Sequence, residues 1–314
     1  MTNTGGTYSG REVVQVYVTC PAGKLAKEYR RLVTFGKTDV LTPSEKQTLV
    51  MEIPFSMLGS YDETAPGWIL ERGDYVIWAG NSLQSAIPVG TVLAQTWDTA
   101  LVKQVGEMIG REREEFGVTL WLAPGMNIHR NPLCGRNFDY YSEDPLLAGT
   151  MAAAMTKGVQ TVPGCGTTIK HFACNNQEDN RLGSDSILSE RALREIYLKG
   201  FEVAVKTAQP MSIMTSYNLI NGIHAANHPA LCTKVARCEW GFEGVIMTDW
   251  TTTENGPDCT ASGCMRAGND LVMPGAICDR ENLEAEYEPD NLSIDDVKAC
   301  VGRLVNIIWQ SNRY

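Results

Sequence analysis

Between about residues 10 and 80, apolar and polar side chains alternate. The clearest stretches are Val14-Gln15-Val16-Tyr17-Val18, Leu49-Val50-Met51-Glu52-Ile53 and Tyr75-Val76-Ile77-Trp78-Ala79. A period of two puts every second side chain on one face, so these segments predict strands. Pro21-Ala22-Gly23, Pro43-Ser44 and Arg72-Gly73-Asp74 separate them as turns, which predicts a small all-β unit of sandwich type. Around residue 96 the period becomes 3.6. Leu101, Val102, Val105, Met108 and Ile109 share one helical face, with Asp98 placed to cap its start. Strand-like runs at Val118 to Leu122, Thr167 to Phe172, Met211 to Tyr217, Gly244 to Trp250 and Asp270 to Pro274 then alternate with helical patterns. One helical face is Leu193, Ile196, Tyr197, Gly200, Phe201 and Ala204, and a short helix is expected near Pro229 to Cys238. The last helix opens on a capping box, Ser293-x-x-Asp296, and is expected to bury Val297, Cys300, Val301, Leu304, Val305 and Ile308.

Apolar strands alternating with helices imply a parallel sheet covered by helices. About five strands are too few for the eight of a complete α/β barrel. The expected fold is therefore α/β: an incomplete parallel (β/α) TIM-type barrel preceded by the small all-β unit.

Composition narrows the partners. The 314 residues are 43% hydrophobic, and a net charge of -10 with a pI near 5.0 argues against nucleic acid or an anionic membrane. No apolar run approaches the length of a membrane span, and the first residues resemble no leader, so a cytoplasmic protein is expected. The ten cysteines show no C-x-x-C and read mostly as buried reduced thiols. The four histidines lack paired ligand spacing with them, no glycine-rich phosphate loop is present, and neither a metal nor a cofactor is expected.

In a parallel α/β barrel the reacting groups belong at the C-terminal strand ends. Lys170-His171, Ser216-Tyr217-Asn218 and Thr248-Asp249-Trp250 end three of the strands, and Arg136-Asn137 lie in the loop after Asn127-Ile128. A carboxylate at such a rim suits nucleophilic attack on an anomeric carbon. On spacing alone, Asp249 reads equally as that nucleophile or as a helix N-cap. Lys170 and His171 read as donors to sugar hydroxyls or as an exposed lysine beside a core histidine. Trp250 reads as a stacking platform or a buried indole.

Five motifs occur in one order over about residues 88 to 312. They are Leu122-Ala123-Pro124-Gly125-Met126-Asn127-Ile128-His129-Arg130-Asn131-Pro132-Leu133-Cys134-Gly135-Arg136-Asn137-Phe138 with Tyr141-Ser142-Glu143-Asp144-Pro145, Lys170-His171-Phe172, Met214-Thr215-Ser216-Tyr217-Asn218 and Val245-Ile246-Met247-Thr248-Asp249-Trp250. Together they resemble the barrel domain of glycoside hydrolase family 3 β-glucosidases. The resemblance implies that Asp249 is the nucleophile, that Arg136, Lys170 and His171 hydrogen-bond glucose hydroxyls in the −1 subsite, and that Met214, Tyr217 and Trp250 line it. Residues 1–82, closest at Gly10 to Val18, resemble the fibronectin type III-like domain of many members, in circularly permuted order. Residues 83–95 are then a linker and residues 96–314 the barrel.

The chain departs from the family pattern at two places. No Asp-Gly-Pro strand end precedes Trp97, so the barrel is expected to lack its first strand. The second α/β domain, which supplies the acid/base in most relatives, has no counterpart. The loop after Lys170-His171-Phe172 offers Glu178, Asp179 and Asp185, read here as a solvated acidic loop, and the acid/base stays unassigned. The expected activity is retaining β-glycosidase chemistry on a terminal β-linked glucose, through a covalent glycosyl-aspartate. The expected partner is a β-glucoside or short β-linked oligosaccharide. The alternative is a weak or inactive sugar-binding remnant, or a subunit completed by a partner chain. Exposed sheet edges also favour a homo-oligomer.

Overall fold

The computed structural model describes residues 1–3, 5–21, 23–27, 31–73, 75–80, 89–288 and 291–311. The expected join at residue 82, the first part of the linker and the turn residues Ala22 and Asp74 lie outside the described residues. Residues 89–95 of the expected linker form a helix, α1 (Val89–Gln95).

The N-terminal part holds β1 (Val13–Thr19), β2 (Arg31–Lys37), a β3 (Ser60–Asp62) and β4 (Gly67–Ile69) hairpin, and β5 (Val76–Gly80). β1 lies between β2 and β5, antiparallel to both. Val16, Val18, Cys20 and Val33 form its small core. The strand expected at Leu49 to Ile53 does not form. The alternation is real, because Met51 and Ile53 pack on that core while Val50 is 90% exposed. The segment runs extended without a backbone ladder. The other face of this sheet docks on the barrel helices through Leu32 and an edge-to-face contact of Phe35 with Trp97 at 5.0 Å.

The larger part is built on β6 (Leu120–Trp121), β7 (Gly166–Phe172), β9 (Ser212–Thr215) and β12 (Val245–Met247), all parallel and in the order β12-β9-β7-β6. A bridge from Met247 to Leu271 supplies the fifth position, where a longer strand was expected. Three short strands, β8 (Asp185–Ser186), β10 (Leu219–Ile220) and β11 (Ile223–His224), form a separate small sheet. The pleat sends Ile169, Ile213 and Ile246 outward. There they meet α3 (Pro145–Val159), α5 (Lys199–Ala208) and the π-helix Ala230–Glu239. Met214, Val245 and Met247 point the other way.

In a closed barrel such inward side chains fill each other. Here the last helix covers them, after the short helices α4 (Glu190–Ala192), α6 (Thr252–Asn255), α7 (Ala261–Ala267) and α8 (Ile277–Glu286). α9 (Ile294–Gln310) lays Leu304 and Ile307 on Met214, Val245 and Met247. Its capping box forms as expected, with the Asp296 N–H donating to Ser293 Oγ at 3.1 Å. Only Cys300 and Ile307 are buried, however, while Val301, Val305 and Ile308 are 43–49% exposed. The open inner face is narrow and takes up only part of a wide apolar stripe. Asp270 anchors this helix to the sheet. Its fully buried carboxylate accepts from Arg237 Nη2 at 2.6 Å, Arg303 Nε at 2.7 Å and the Ile246 N–H at 2.8 Å.

Two other helices differ from their patterns. A π-turn at Leu193–Tyr197 rotates the following face by one residue. Leu198 is therefore buried and Ile196 is 41% exposed. In α2 (Thr99–Glu115), capped by Asp98 as expected, the buried residues are Val102, Gly106 and Gly110. Leu101 and Met108 stay exposed, because glycines let α2 cross α3 almost backbone to backbone. A Cβ on Gly158 of α3 would collide with the Lys103 carbonyl oxygen and lie 2.8 Å from the Gly106 Cα. Gly158→Ala is predicted to destabilise the fold by about 1–3 kcal/mol through overpacking. Urea denaturation checks this, and an unchanged midpoint would contradict the crossing.

Candidate active site

The site grows from the C-terminal rim of the parallel strands. β7 and β9 pair Lys170 with Met214, and the register shifts between Lys170 and Phe172. That irregularity breaks the simple alternation of the pleat, so Lys170 and His171 both reach the rim. Asn127 fixes His171 from the neighbouring loop. Its Oδ1 accepts from the His171 N–H at 2.8 Å and its Nδ2 donates to the His171 carbonyl at 2.9 Å.

Asp249 follows β12 and is 7% exposed. It does not cap α6, whose N-cap position is Thr251. One carboxylate oxygen accepts from the Trp250 N–H at 2.7 Å, and the other stands 3.5 Å from His171 Nε2. Arg136 Nη1 donates to the same His171 nitrogen at 3.1 Å. The other edge of that guanidinium binds Asp139 Oδ2 through Nε at 3.2 Å and Nη2 at 2.6 Å.

The protonation pattern follows from these contacts. Burial, then Arg136 and Lys170, hold His171 well below the ordinary histidine range. A neutral ring that accepts at Nε2 carries its proton on Nδ1, which faces Tyr140 Oη at 3.4 Å. Tyr140 Oη in turn donates to the Asn175 carbonyl at 3.3 Å and accepts from Asn175 Nδ2 at 2.8 Å. Burial also lowers Lys170, Arg136 lowers it further, and Asp139 and Asp249 draw it back up. Burial and then the Asp249 charge push Tyr217 up to about 12, so its hydroxyl keeps its proton and donates to the Trp250 carbonyl at 2.9 Å.

Arg136, His171 and Asp249 thus form one contact chain, with Lys170 and Tyr217 inside its field. Met214 is 1% exposed and lies beneath them on β9, while Trp250 stands at the rim, 49% exposed. Tyr140, Asp139, Asn127 and Asn175 were not anticipated. The Arg136-x-x-Asp139 spacing was a signal for one of them, whereas Tyr140 reads as an ordinary core aromatic.

Of the loop acids, Glu178 accepts from Asn175 Nδ2 at 3.0 Å and from Arg181 Nη1 at 2.8 Å. Both its oxygens are occupied as acceptors. Asp179 and Asp185 are exposed.

A cleft of about 1190 Å³ lies elsewhere, between the N-terminal sheet and the outer helices, lined by Phe35, Lys37, Trp97 and Lys199 among others. It lacks the convergent groups of the rim. Among the described residues, no group of three or more His, Cys, Asp or Glu could hold a metal ion, and no helix is long and apolar enough to cross a membrane.

The sequence profile described as the glycosyl hydrolase family 3 N terminal domain matches residues 76–307. The chain belongs to glycosyl hydrolase family 3. The profile of the fibronectin type III-like domain matches residues 12–83. Family 3 relatives include a β-glucosidase of Ruminococcus albus, 30% identical over 427 residues, covering 85% of this chain and 45% of that protein. Another is β-glucosidase A of Butyrivibrio fibrisolvens, 52% identical over 166 residues, covering 53% of this chain and 20% of that protein. The solved β-glucosidase of Paenibacillus barengoltzii matches with a TM-score of 0.92 at 28% identity, over 99% of this chain and 53% of that one. β-Glucosidase 3B of Thermotoga neapolitana, solved with glucose, matches at 0.67 and 46% identity, over 74% of this chain and 33% of that one. The family 3 chain therefore spans less than half the length of these two curated relatives. The Ruminococcus alignment is also longer than the chain itself, so that relative carries extra residues inside the matched span.

A buried neutral histidine makes stability depend on pH. Its folded pKa lies below the unfolded value of about 6.5, so the unfolded chain takes up a proton that the folded chain excludes. Stability is predicted to fall as pH drops through about 6.5, and His171→Gln should flatten that slope. Urea midpoints measured between about pH 7 and about pH 5 test this. An identical slope in the variant would contradict it.

Proposed function

We propose that this chain carries the nucleophile side of a retaining β-glucosidase-type site. The observation that carries the reading is the Asp249 carboxylate, standing 3.5 Å from a neutral His171 that also accepts from Arg136. A glucosyl unit would sit over this row, its hydroxyls on Arg136, Lys170 and His171 and its apolar face against Met214 or the Trp250 indole. A carboxylate oxygen of Asp249 attacks C1, the glycosidic bond breaks through an oxocarbenium-like transition state, and a glycosyl-aspartate forms. Water then attacks C1, which releases glucose with retained configuration. The substrate class is a terminal β-linked glucoside. The names of the relatives support it, and the domain limits proposed are residues 1–82 for the sandwich piece and 96–314 for the barrel.

The retaining mechanism needs a second carboxyl group about 5–5.5 Å from the first. Glu178 already serves as an acceptor twice, and Asp179 and Asp185 face solvent. We assign the acid/base to a segment outside these 314 residues, in the same polypeptide or in a partner. The longer span of the Ruminococcus relative supports that reading. Without general-acid help, departure of a poor leaving group loses about 100- to 10,000-fold.

The test uses 2,4-dinitrophenyl 2-deoxy-2-fluoro-β-glucoside, whose leaving group needs no acid. Mass spectrometry should find one fluoroglucosyl group on Asp249, none in Asp249→Asn, and turnover of dinitrophenyl but not methyl β-glucoside. A label on another residue would overturn the nucleophile. A chain that binds glucose yet takes no label would be a sugar-binding remnant.

A further inference from the structure

We propose that Cys259 and Cys264 form a redox-active dithiol that a peroxide converts reversibly into a disulfide. This inference is independent of the glycosidase reading. Thr260 is the N-cap of α7, with its side chain accepting from the Gly263 N–H at 3.1 Å. Cys259 is then the residue before the cap and Cys264 the fourth helical residue, two positions whose side chains pack together at a helix start. The contacts agree. Asn227 Oδ1 accepts from Cys259 Sγ at 3.5 Å and from Cys264 Sγ at 3.1 Å, and the two cysteines share a small cluster with Ala226 and Val272.

A third group points at the pair. His224 is 2% exposed, and its Nδ1 accepts from the Ala226 N–H at 3.1 Å. In the neutral ring the proton therefore sits on Nε2. The His224 ring lies close enough to Cys259 to act on that thiol. Hydrogen bonding from Cys264, then from His224, lowers the Cys259 thiol, while the same contact with Cys259 raises Cys264. Cys259, 5% exposed against 0% for Cys264, is the sulfur an oxidant reaches first, and Cys264 is the resolving one.

The step balances. The Cys259 thiolate attacks one peroxide oxygen, the O–O bond breaks, and hydroxide leaves and is protonated to water. Cys259 is now a sulfenic acid. The Cys264 sulfur displaces its hydroxyl, which departs as water with the Cys264 proton. Two thiols lose two electrons and one peroxide gains them. At 5% exposure Cys259 admits a small oxidant and excludes bulky ones.

Trypsin releases residues 238–266 as one peptide holding Cys238, Cys259 and Cys264. The whole chain is treated with hydrogen peroxide, denatured, alkylated with N-ethylmaleimide and digested. The expected peptide carries a single maleimide, on Cys238, and is lighter by two hydrogens at the other two sites. Dithiothreitol before alkylation restores all three maleimides. In Cys264→Ser, dimedone should capture the sulfenic acid on Cys259. Peroxide is raised until Cys238, exposed like Cys278, just begins to lose its maleimide, and a peptide that still carries maleimide on both Cys259 and Cys264 at that point would overturn the proposal. So would a sulfinic acid on Cys259 without a bond to Cys264.

Discussion

Parallel pairing aligns Gly125, Lys170, Met214, Met247 and Leu271 in one row across the sheet. The residues just beyond this row emerge at the same rim, which brings His171 and Asp249 together although they are far apart in sequence. Shifting one strand by a single residue would exchange its faces, sending Met214 toward the helices and Ile213 toward the site. The outer core prevents the slip, since Ile169, Ile213 and Ile246 are each fully buried against helices. Site geometry and helix packing are therefore one constraint seen from two faces of the sheet.

At the rim, low accessibility makes charge placement selective. His171 is neutral because it is buried beside two cations, and a neutral ring can accept from Arg136 without repelling it. Arg136 shares its charge with Asp139 and so presents only one edge toward His171. The Asn127 clamp and the Tyr140–Asn175 pair hold the histidine backbone and ring. The acidic Glu178 is tied back by Arg181, whose guanidinium stacks over the Tyr217 ring at 4.7 Å. Most polar atoms near Asp249 thus have protein partners, and a ligand at this rim would exchange some of those contacts for its own.

Much of this was readable from residue patterns. A strand's apolar run ends where its polar rim begins, so Lys170-His171 and Thr248-Asp249-Trp250 declare their positions. The caps at Asp98 and Ser293 are local chemistry and form as their spacing says. Four things were hidden because they depend on more than the local pattern. The Leu49 to Ile53 run alternates correctly yet has no strand to pair with. The stripe of α9 is wider than the surface it covers, since the inner face of an incomplete barrel is narrow. The face of the helix after Ser189 turns because a π-turn interrupts it, and no periodicity in the sequence signals that extra residue. Tyr140 belongs to the same class, for nothing in its own segment shows that a histidine thirty-one residues later will lie against its hydroxyl.

The role of Asp249 is decided by where a sugar binds. Crystals of the chain soaked with β-D-glucose should show the ring over Asp249, with C1 toward its carboxylate and hydroxyls within hydrogen-bond reach of Arg136, Lys170 and His171. Glucose bound instead in the cleft beside Trp97 and Lys199, with the rim at Asp249 vacant at saturating sugar, would contradict that role.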